Sequence, residues 1–190
     1  MAETTMVAPP ETHQAGLMTA EELWAMAGWG RYELVRGRLI SMSPTSGPHG
    51  KTENRVAHWI TSFVDETGLG EVYVGETGFL IARDPDTVRG ADVAFLTKEH
   101  AAQVPSTGYV PFAPDLVVEV VSPDDRWSEV QGKVNEWLAA GARLVWVFDP
   151  ERKSIDTFTP ERRWSLKEGD ALIGDDVLPG FSVTLSKFFP

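Results

Sequence analysis

Apolar residues recur at helical spacing in two long segments of the chain. In the segment from 48 to 65 they stand at i, i+3, i+4, i+7 and i+8, namely at Val56, Trp59, Ile60, Phe63 and Val64. This period predicts an amphipathic helix, which Gly68 ends. The segment from 126 to 140 predicts a second helix that ends at Gly141, with an apolar face of Val130, Val134, Trp137 and Leu138. A shorter helix is predicted to begin at Thr19, which has capping-box spacing with Glu22.

Short apolar runs between the helices predict the strands of one sheet. They lie at 32–35, 38–42, 71–74, 78–82, 91–96, 115–121, 144–148, 154–158, 163–166 and 181–185. Arg36-Gly37 predicts a hairpin turn between the first two strands, and 97–113 predicts a loop. The unit from 115 to 148 predicts a right-handed crossover between neighbouring strands.

These elements predict a mixed α/β or α+β fold, with a central mixed sheet flanked by helices. An N-terminal helix and hairpin precede the core, and short strands at the sheet edge follow it. The length of 190 residues and a hydrophobic fraction of 42% suit one compact domain. We expect that domain to span 19–190 and residues 1–18, which include Pro9 and Pro10, to form a flexible tail.

Composition limits the chemistry and the location of the protein. The chain has no cysteine, which excludes disulfides, zinc–cysteine sites and thiol catalysis. No apolar run approaches the roughly 20 residues of a membrane helix, and the N-terminus lacks the pattern of a signal peptide. We therefore expect a cytoplasmic protein without a membrane partner.

The net charge of −11 bears on nucleic-acid binding. It argues against broad affinity for nucleic acids, because such affinity needs Lys and Arg to neutralise phosphates. It is compatible with a local basic groove, or with a metal site whose carboxylates raise the acidic count.

Two acidic residues interrupt apolar strands, and they are the first functional candidates. Glu119 stands in the middle of the run from 115 to 121, and Asp92 stands between Ala91 and Val93. A buried charge is costly unless it finds a partner, binds a metal or shifts its pKa. If the two strands are neighbours, both carboxylates can share an ion, and Mg²⁺ or Mn²⁺ suits such oxygen ligands.

Lys133 is the candidate cation beside this pair. It lies next to Val134 and four residues before Trp137, at the rim of the predicted apolar face, from which its long stem can reach inward. There its charge would stabilise developing phosphate oxygens. A solvated lysine paired with Glu129 at i,i+4 is the alternative.

The same residues resemble the Uma-type restriction endonuclease family, of the PD-(D/E)xK nuclease superfamily. The resemblance covers 19–190 and is most specific from Pro114 to Pro150. It is carried by Ala-Asp-Val-Ala-Phe at 91–95, Pro-Asp-Leu-Val-Val-Glu-Val-Val-Ser-Pro at 114–123, Lys133 four residues before an aromatic, Gly141, and Val-Trp-Val-Phe-Asp-Pro at 145–150. It implies a restriction-endonuclease-like core.

The resemblance also implies the site residues. Asp92 matches the first metal-binding acid and Glu119 the second. The superfamily lysine would stand at position 121, which is Val here, and Lys133 on the following helix matches its displaced place. Glu33 matches an early acidic position, as a metal or water ligand, and His49 matches a histidine at the start of the first long helix.

Each of these residues also has an alternative role that is structural and not catalytic. Glu119 can pair with an arginine, Asp92 can cap a turn, Glu33 can face solvent on an edge strand, and His49 can cap its helix. Asp115 lies about 13 Å along the strand from Glu119, so we expect it to end the strand or contact a loop.

Together these patterns predict a metal-dependent endonuclease that hydrolyses DNA phosphodiester bonds with Mg²⁺, or with Mn²⁺. Asp92, Glu119 and Glu33 would hold the metal, while Lys133 and His49 would act on the water and the phosphate. Double-stranded DNA is the expected substrate and a homodimer the expected assembly, with the edge after Ile155 as a place for pairing. A catalytically inactive binding protein of the same fold, or a phosphohydrolase acting on a small nucleotide, are the alternatives.

Overall fold

In the part of the chain that the structure describes, four α-helices, ten strands and one short 3-10 helix (Leu185–Lys187) make up the fold. The structure is a computed structural model that describes residues 16–26, 28 and 30–189, so most of the predicted N-terminal tail lies outside the described residues. In chain order the elements are α1 (Ala20–Ala25), β1 (Tyr32–Val35), β2 (Arg38–Ser41), α2 (Gly47–Thr67), β3 (Gly70–Ala82), β4 (Thr87–Thr97), α3 (Lys98–Ala101), β5 (Leu116–Val120), α4 (Trp127–Ala139), β6 (Leu144–Asp149), β7 (Ser154–Phe158), β8 (Arg163–Leu166), β9 (Ala171–Gly174) and β10 (Leu178–Thr184).

Eight strands form a mixed sheet in the order β2-β1-β4-β5-β6-β7-β8, and β3 pairs with β4 outside that path. The β5–β6 pair is parallel, as expected of strands joined by the crossover helix α4, and the other pairs are antiparallel. The predicted fold class, a central mixed sheet flanked by helices, is confirmed.

The helices cover opposite faces of the sheet because side chains alternate along each strand. Val93, Phe95 and Val118 face α2 and the C-terminal elements, whereas Ala94, Leu96 and Val117 face α4. Asp92 and Glu119 belong to the second set by parity, so they lie on the face that α4 covers.

Local signals place the helix ends. The capping box at Thr19 and Glu22 is present as predicted, and Gly68 ends α2 in the left-handed conformation with φ 62°. The Arg36-Gly37 turn has positive φ at both residues, 50° and 73°, which is the geometry of a tight hairpin.

Strand β3 departs from the prediction of two strands. It runs unbroken from Gly70 to Ala82, and a bulge between Val74 and Thr77 stands where the predicted strands separate. Gly75 and Glu76 occupy the bulge with φ values of 74° and 59°. A Cβ at the facing Gly90 would lie 3.1 Å from the Cβ of Glu76, so this close approach favours glycine at position 90.

Other predictions need correction. The segment 97–113 contains the short helix α3, which Thr97 caps at its N-terminus. The strand predicted at 181–185 is β10, which pairs with β9 in a separate two-stranded sheet and not at the edge of the main sheet. The edge expected after Ile155 is not β7 itself, which is paired with β6 on one side and with β8 on the other; it is the next strand, β8, which ends the strand order.

Among the described residues, no helix is long and apolar enough to cross a membrane.

Candidate active site

Strand pairing brings the two predicted acids together. Val93 pairs with Val118 in the antiparallel β4–β5 ladder, and one further step of that register sets Asp92 opposite Glu119. Residues directly opposite on such a ladder point to the same face. Both carboxylates are buried, with exposed fractions of 7% for Asp92 and 8% for Glu119.

Glu119 receives two hydrogen bonds from α4. The Lys133 ammonium donates to Glu119 Oε2 at 2.8 Å, and the Trp137 indole Nε1 donates to Oε1 at 2.7 Å. Lys133 and Trp137 are four residues apart, so one face of the helix presents both donors. Lys133 therefore takes the inward position that its place on α4 predicts, and does not form the alternative pair with Glu129.

Three groups surround the Lys133 ammonium. Besides Glu119, it donates to the Gly90 carbonyl at 3.0 Å and lies 3.3 Å from Glu33 Oε1. Burial works to lower the pKa of Lys133, but the carboxylates of Glu119, Glu33 and Asp92 outweigh it and raise that pKa. Lys133 is thus held as a cation.

The pKa of Glu119 is raised, and burial is the largest cause. Burial raises it to about 7, the carboxylates of Asp92 and Glu33 add to the rise, and the Lys133 ammonium opposes it. A carboxyl with a pKa near neutrality is present in both protonated and ionised forms at neutral pH, whereas an exposed glutamate is almost fully ionised. This kind of shift is common at functional sites.

Glu33 is buried in β1 next to two cationic side chains, those of Arg89 and Lys133. The alternative, in which Glu33 faces solvent on an edge strand, is therefore wrong. Its Oε2 accepts from Arg89 Nη1 at 2.6 Å, and its Oε1 accepts from the Gly90 N–H at 3.0 Å. Arg89 also bonds Glu136 on α4 through Nε at 2.8 Å. Burial works to raise the pKa of Glu33, and the charges of Lys133 and Arg89 lower it overall. Glu33 therefore joins Lys133 and Arg89 in one charged network.

His49 links α2 to the acid pair. Its Nε2 lies 3.2 Å from Asp92 Oδ1, and its Nδ1 lies 3.2 Å from the Ser122 hydroxyl after β5. The other oxygen of Asp92, Oδ2, accepts from the Val120 N–H at 2.6 Å. Burial works to lower the pKa of His49, but Asp92, Glu53 and Glu76 raise it overall.

Sequence reasoning missed two acids that lie near His49. Glu53 is one turn further along α2, with Oε2 4.0 Å from His49 Nε2, and the i,i+4 spacing of the two residues is the signal that could have found it. Glu76 lies in the β3 bulge and is paired with Arg31. The apolar and polar pattern of β3 gives no sign that a bulge points Glu76 toward the site.

The predicted residues line one cleft of about 840 Å³. Glu33, Asp92, Glu119, Lys133 and His49 all contribute to its wall. Asp115 is elsewhere, as predicted. It accepts from the Thr97 N–H at 2.9 Å and pairs with His100 at 2.8 Å, so it holds the junction of β4 and α3 at the other end of β5.

The donor set of the cleft fits a hard divalent cation. Each oxygen of Asp92 and Glu119 has one protein hydrogen-bond partner, whereas a carboxylate oxygen has about two lone pairs. Carboxylate oxygens with one lone pair left are suitable ligands for Mg²⁺ or Mn²⁺. His49, Glu53 and Asp92 form a further group, in which one potential ligand atom from each lies within 4.8 Å of the others.

Comparisons with known proteins agree with this fold. A crystal structure of a protein from Anabaena variabilis, described as "a putative nuclease belonging to DUF820", superposes with a TM-score of 0.76 at 16% sequence identity, covering 90% of this chain and 97% of that one. At that identity the likeness shows the fold alone. None of the curated proteins matches the sequence. A family model described as "Uma2: Putative restriction endonuclease" matches residues 20–186, which confirms the resemblance predicted from the sequence. The chain therefore belongs to the Uma2 family.

Proposed function

We propose that the protein is a metal-dependent endonuclease that hydrolyses phosphodiester bonds in double-stranded DNA. The observation that carries the proposal is the contact of 2.8 Å between Lys133 and Glu119, on the same face of the sheet as Asp92. Two buried acids and a partly buried cation on the wall of one cleft suit the hydrolysis of a phosphate ester. The family to which the chain belongs supports the same reaction class.

Asp92 and Glu119 would hold the metal, with Mg²⁺ as the first expectation and Mn²⁺ as an alternative. A divalent ion bound there polarises the phosphodiester and lowers the pKa of a bound water. Metal binding would require both carboxylates to be ionised. Because the pKa of Glu119 is raised to about 7, its protonation state would affect metal binding near neutral pH.

Lys133 would stabilise negative charge on the phosphate oxygens or orient the attacking water. Its pKa is raised by three carboxylates, so it would act as a fixed positive charge and not as a base. His49 would face the scissile phosphate, and Ser122 at 3.2 Å from Nδ1 would set the orientation of its ring.

The contacts of Glu33 bear on which role it has in the proposed reaction. The prediction that it is a metal ligand stays a prediction. Its oxygens already lie near three donors, from Arg89, Gly90 and Lys133. These contacts favour a positioning role in which Glu33 holds Lys133 against Glu119.

The substrate and the assembly follow from the proposed reaction. Enzymes with a single active site usually need two copies to cleave both strands of a duplex, and closed dimers are the commonest assembly, so we propose a homodimer. A cytoplasmic location is in keeping with a DNA substrate and a chain without cysteine.

A plasmid nicking assay tests the proposal. Supercoiled DNA is incubated with the wild-type protein and with Glu119→Gln, with Mg²⁺ or Mn²⁺ and with EDTA as a control. Glu71→Gln, an exposed glutamate on β3, is the matched control variant. We expect nicking by the wild type and Glu71→Gln, and none by Glu119→Gln or in EDTA.

Two outcomes would contradict the proposal. If the folded wild type cuts no DNA with either metal, the protein is an inactive binding protein or acts on a small nucleotide. If Glu119→Gln cuts as fast as the wild type, the nuclease activity resides elsewhere.

A further inference from the structure

A histidine and two carboxylates converge beside the Asp92–Glu119 pair. His49 Nε2 lies 3.2 Å from Asp92 Oδ1 and 4.0 Å from Glu53 Oε2. Ligands that share one transition-metal ion at about 2.1 Å are separated by roughly 3 to 4 Å. Both distances from His49 fall in that range, and the ligand atoms of Glu53 and Asp92 lie within 4.8 Å of each other, so small side-chain adjustments would bring all three to one ion.

The fold holds these side chains in place from three directions. His49 and Glu53 are one turn apart on α2, Asp92 is fixed on β4 by the Val120 N–H at 2.6 Å, and Ser122 contacts the far nitrogen of His49. Such outer contacts are the ones that orient metal ligands in known sites.

Negative charge exceeds positive charge at this position. The carboxylates of Asp92 and Glu53 both lie within 4.0 Å of His49 Nε2, and Glu76 lines the same cleft. Arg31 pairs with Glu76, whereas in the part of the chain that the structure describes His49 is the sole ion-pair partner of Glu53. A bound dication would neutralise the excess.

The chemistry of the donors selects the cation. Mg²⁺ prefers oxygen ligands and octahedral geometry with several waters, whereas an imidazole nitrogen suits transition metals. A set of one nitrogen and two carboxylates is therefore better matched to a transition-metal dication than to Mg²⁺.

We propose that His49, Glu53 and Asp92 bind a divalent transition-metal ion, such as Mn²⁺, at a second cation position that shares Asp92 with the first. The inference deepens the proposed function and rests on it for any role in cleavage, but binding itself is independent of cleavage. It assigns Glu53 to the site and gives His49 a role as a ligand.

Electron paramagnetic resonance of Mn²⁺, titrated into the full chain at neutral pH, tests the inference. Glu53→Gln keeps the size of the side chain and removes its charge. Glu66→Gln is the control because Glu66 is an exposed glutamate on the same helix. We expect Glu53→Gln to weaken Mn²⁺ binding by about tenfold or more. Removing a residue that only supports a metal ligand already costs about 10- to 100-fold in metal affinity, and Glu53 is proposed as a ligand itself. Glu66→Gln should bind like the wild type.

The nitrogen ligand supplies a second readout. The bound Mn²⁺ should show a nitrogen hyperfine coupling that disappears in His49→Gln, and excess Mg²⁺ should displace the ion poorly. If Mn²⁺ affinity is the same in Glu53→Gln and Glu66→Gln, or if the wild type shows no nitrogen coupling or no Mn²⁺ binding, the inference is overturned.

Nicking assays on the same preparations keep this result separate from the proposed function. Cleavage with Mg²⁺ by a protein that lacks the Mn²⁺ site leaves the proposed function standing and removes only the second position. If Mn²⁺ binds through Glu53 but the protein never cuts DNA, the second cation position stands and the proposed function falls.

Discussion

Replacing Glu33 by alanine removes a buried carboxylate that three donors approach. Arg89 Nη1 donates to it at 2.6 Å, the Gly90 N–H donates at 3.0 Å and the Lys133 ammonium lies at 3.3 Å. The side chains of Glu33 and Arg89 are only 7% and 14% exposed, so water does not readily take the place of the lost oxygens.

The size of the loss follows from this burial. Removing one member of a buried ion pair costs about 3–5 kcal/mol, because the other charge is left without a partner. A domain of this kind has a total stability of about 5–15 kcal/mol. We therefore expect Glu33→Ala to lower the free energy of unfolding by a large part of its total, and to release Lys133 from one of its three contacts.

Urea unfolding followed by tryptophan fluorescence measures the change. Glu21→Ala is the matched control, because Glu21 also forms two hydrogen bonds with an arginine, Arg83, but at side-chain exposures of 67% and 53%. Exposed pairs contribute little to stability, so the control should unfold close to the wild type. In a double-mutant cycle, Arg89→Met should recover part of the loss in Glu33→Ala.

A change below about 1 kcal/mol in Glu33→Ala, typical of exposed pairs, would refute this reasoning. So would a double variant whose loss equals the sum of the single losses, since that result would mean that Glu33 and Arg89 do not interact.

Three more predictions follow from the site. Trp137→Phe keeps the buried ring but removes the donor to Glu119 Oε1, so it should cost about 1–3 kcal/mol in urea unfolding; no loss of stability would contradict that hydrogen bond. Burial raises the pKa of Glu119 from 4.5 to about 7, so the folded state holds more protons than the unfolded state between those values. The contribution of Glu119 to stability in EDTA should therefore fall as pH rises through this window, by at most about 3 kcal/mol. Glu119→Gln should show a smaller fall than the wild type, since His49, whose pKa is also raised, still contributes, and an equal fall in both proteins would exclude Glu119 as a source. DNA binding should weaken linearly in log affinity against log salt concentration, and a slope near zero in a binding assay would argue against direct contact with phosphates.

The pairing of Asp92 and Glu119 could be predicted because each acid interrupts an apolar strand. The alternation along a strand fixes the face to which each side chain points, and only the adjacency of β4 and β5 remained to be found. Lys133 was harder, since a lysine at the edge of an apolar helix face is common. Its inward direction depends on two carboxylates, one 14 residues and one 100 residues away in the sequence.

The remaining contacts depend on tertiary structure that the local pattern does not encode. His49 meets Asp92 across 43 residues, and Glu76 enters the site because a bulge turns β3 there. Arg89 meets two carboxylates that are distant in the sequence, Glu33 on β1 and Glu136 on α4.

The central claim is that Lys133 acts with Asp92 and Glu119 in cleavage, and its most direct test is the rate of Mg²⁺-dependent plasmid nicking by Lys133→Met. The exposed Lys98 on α3 supplies the control variant Lys98→Met. Loss of one donor to a developing oxyanion costs about 10² to 10³ in rate, so we predict a fall of that size for Lys133→Met and an unchanged rate for Lys98→Met. A folded Lys133→Met protein that nicks at the wild-type rate would contradict the account.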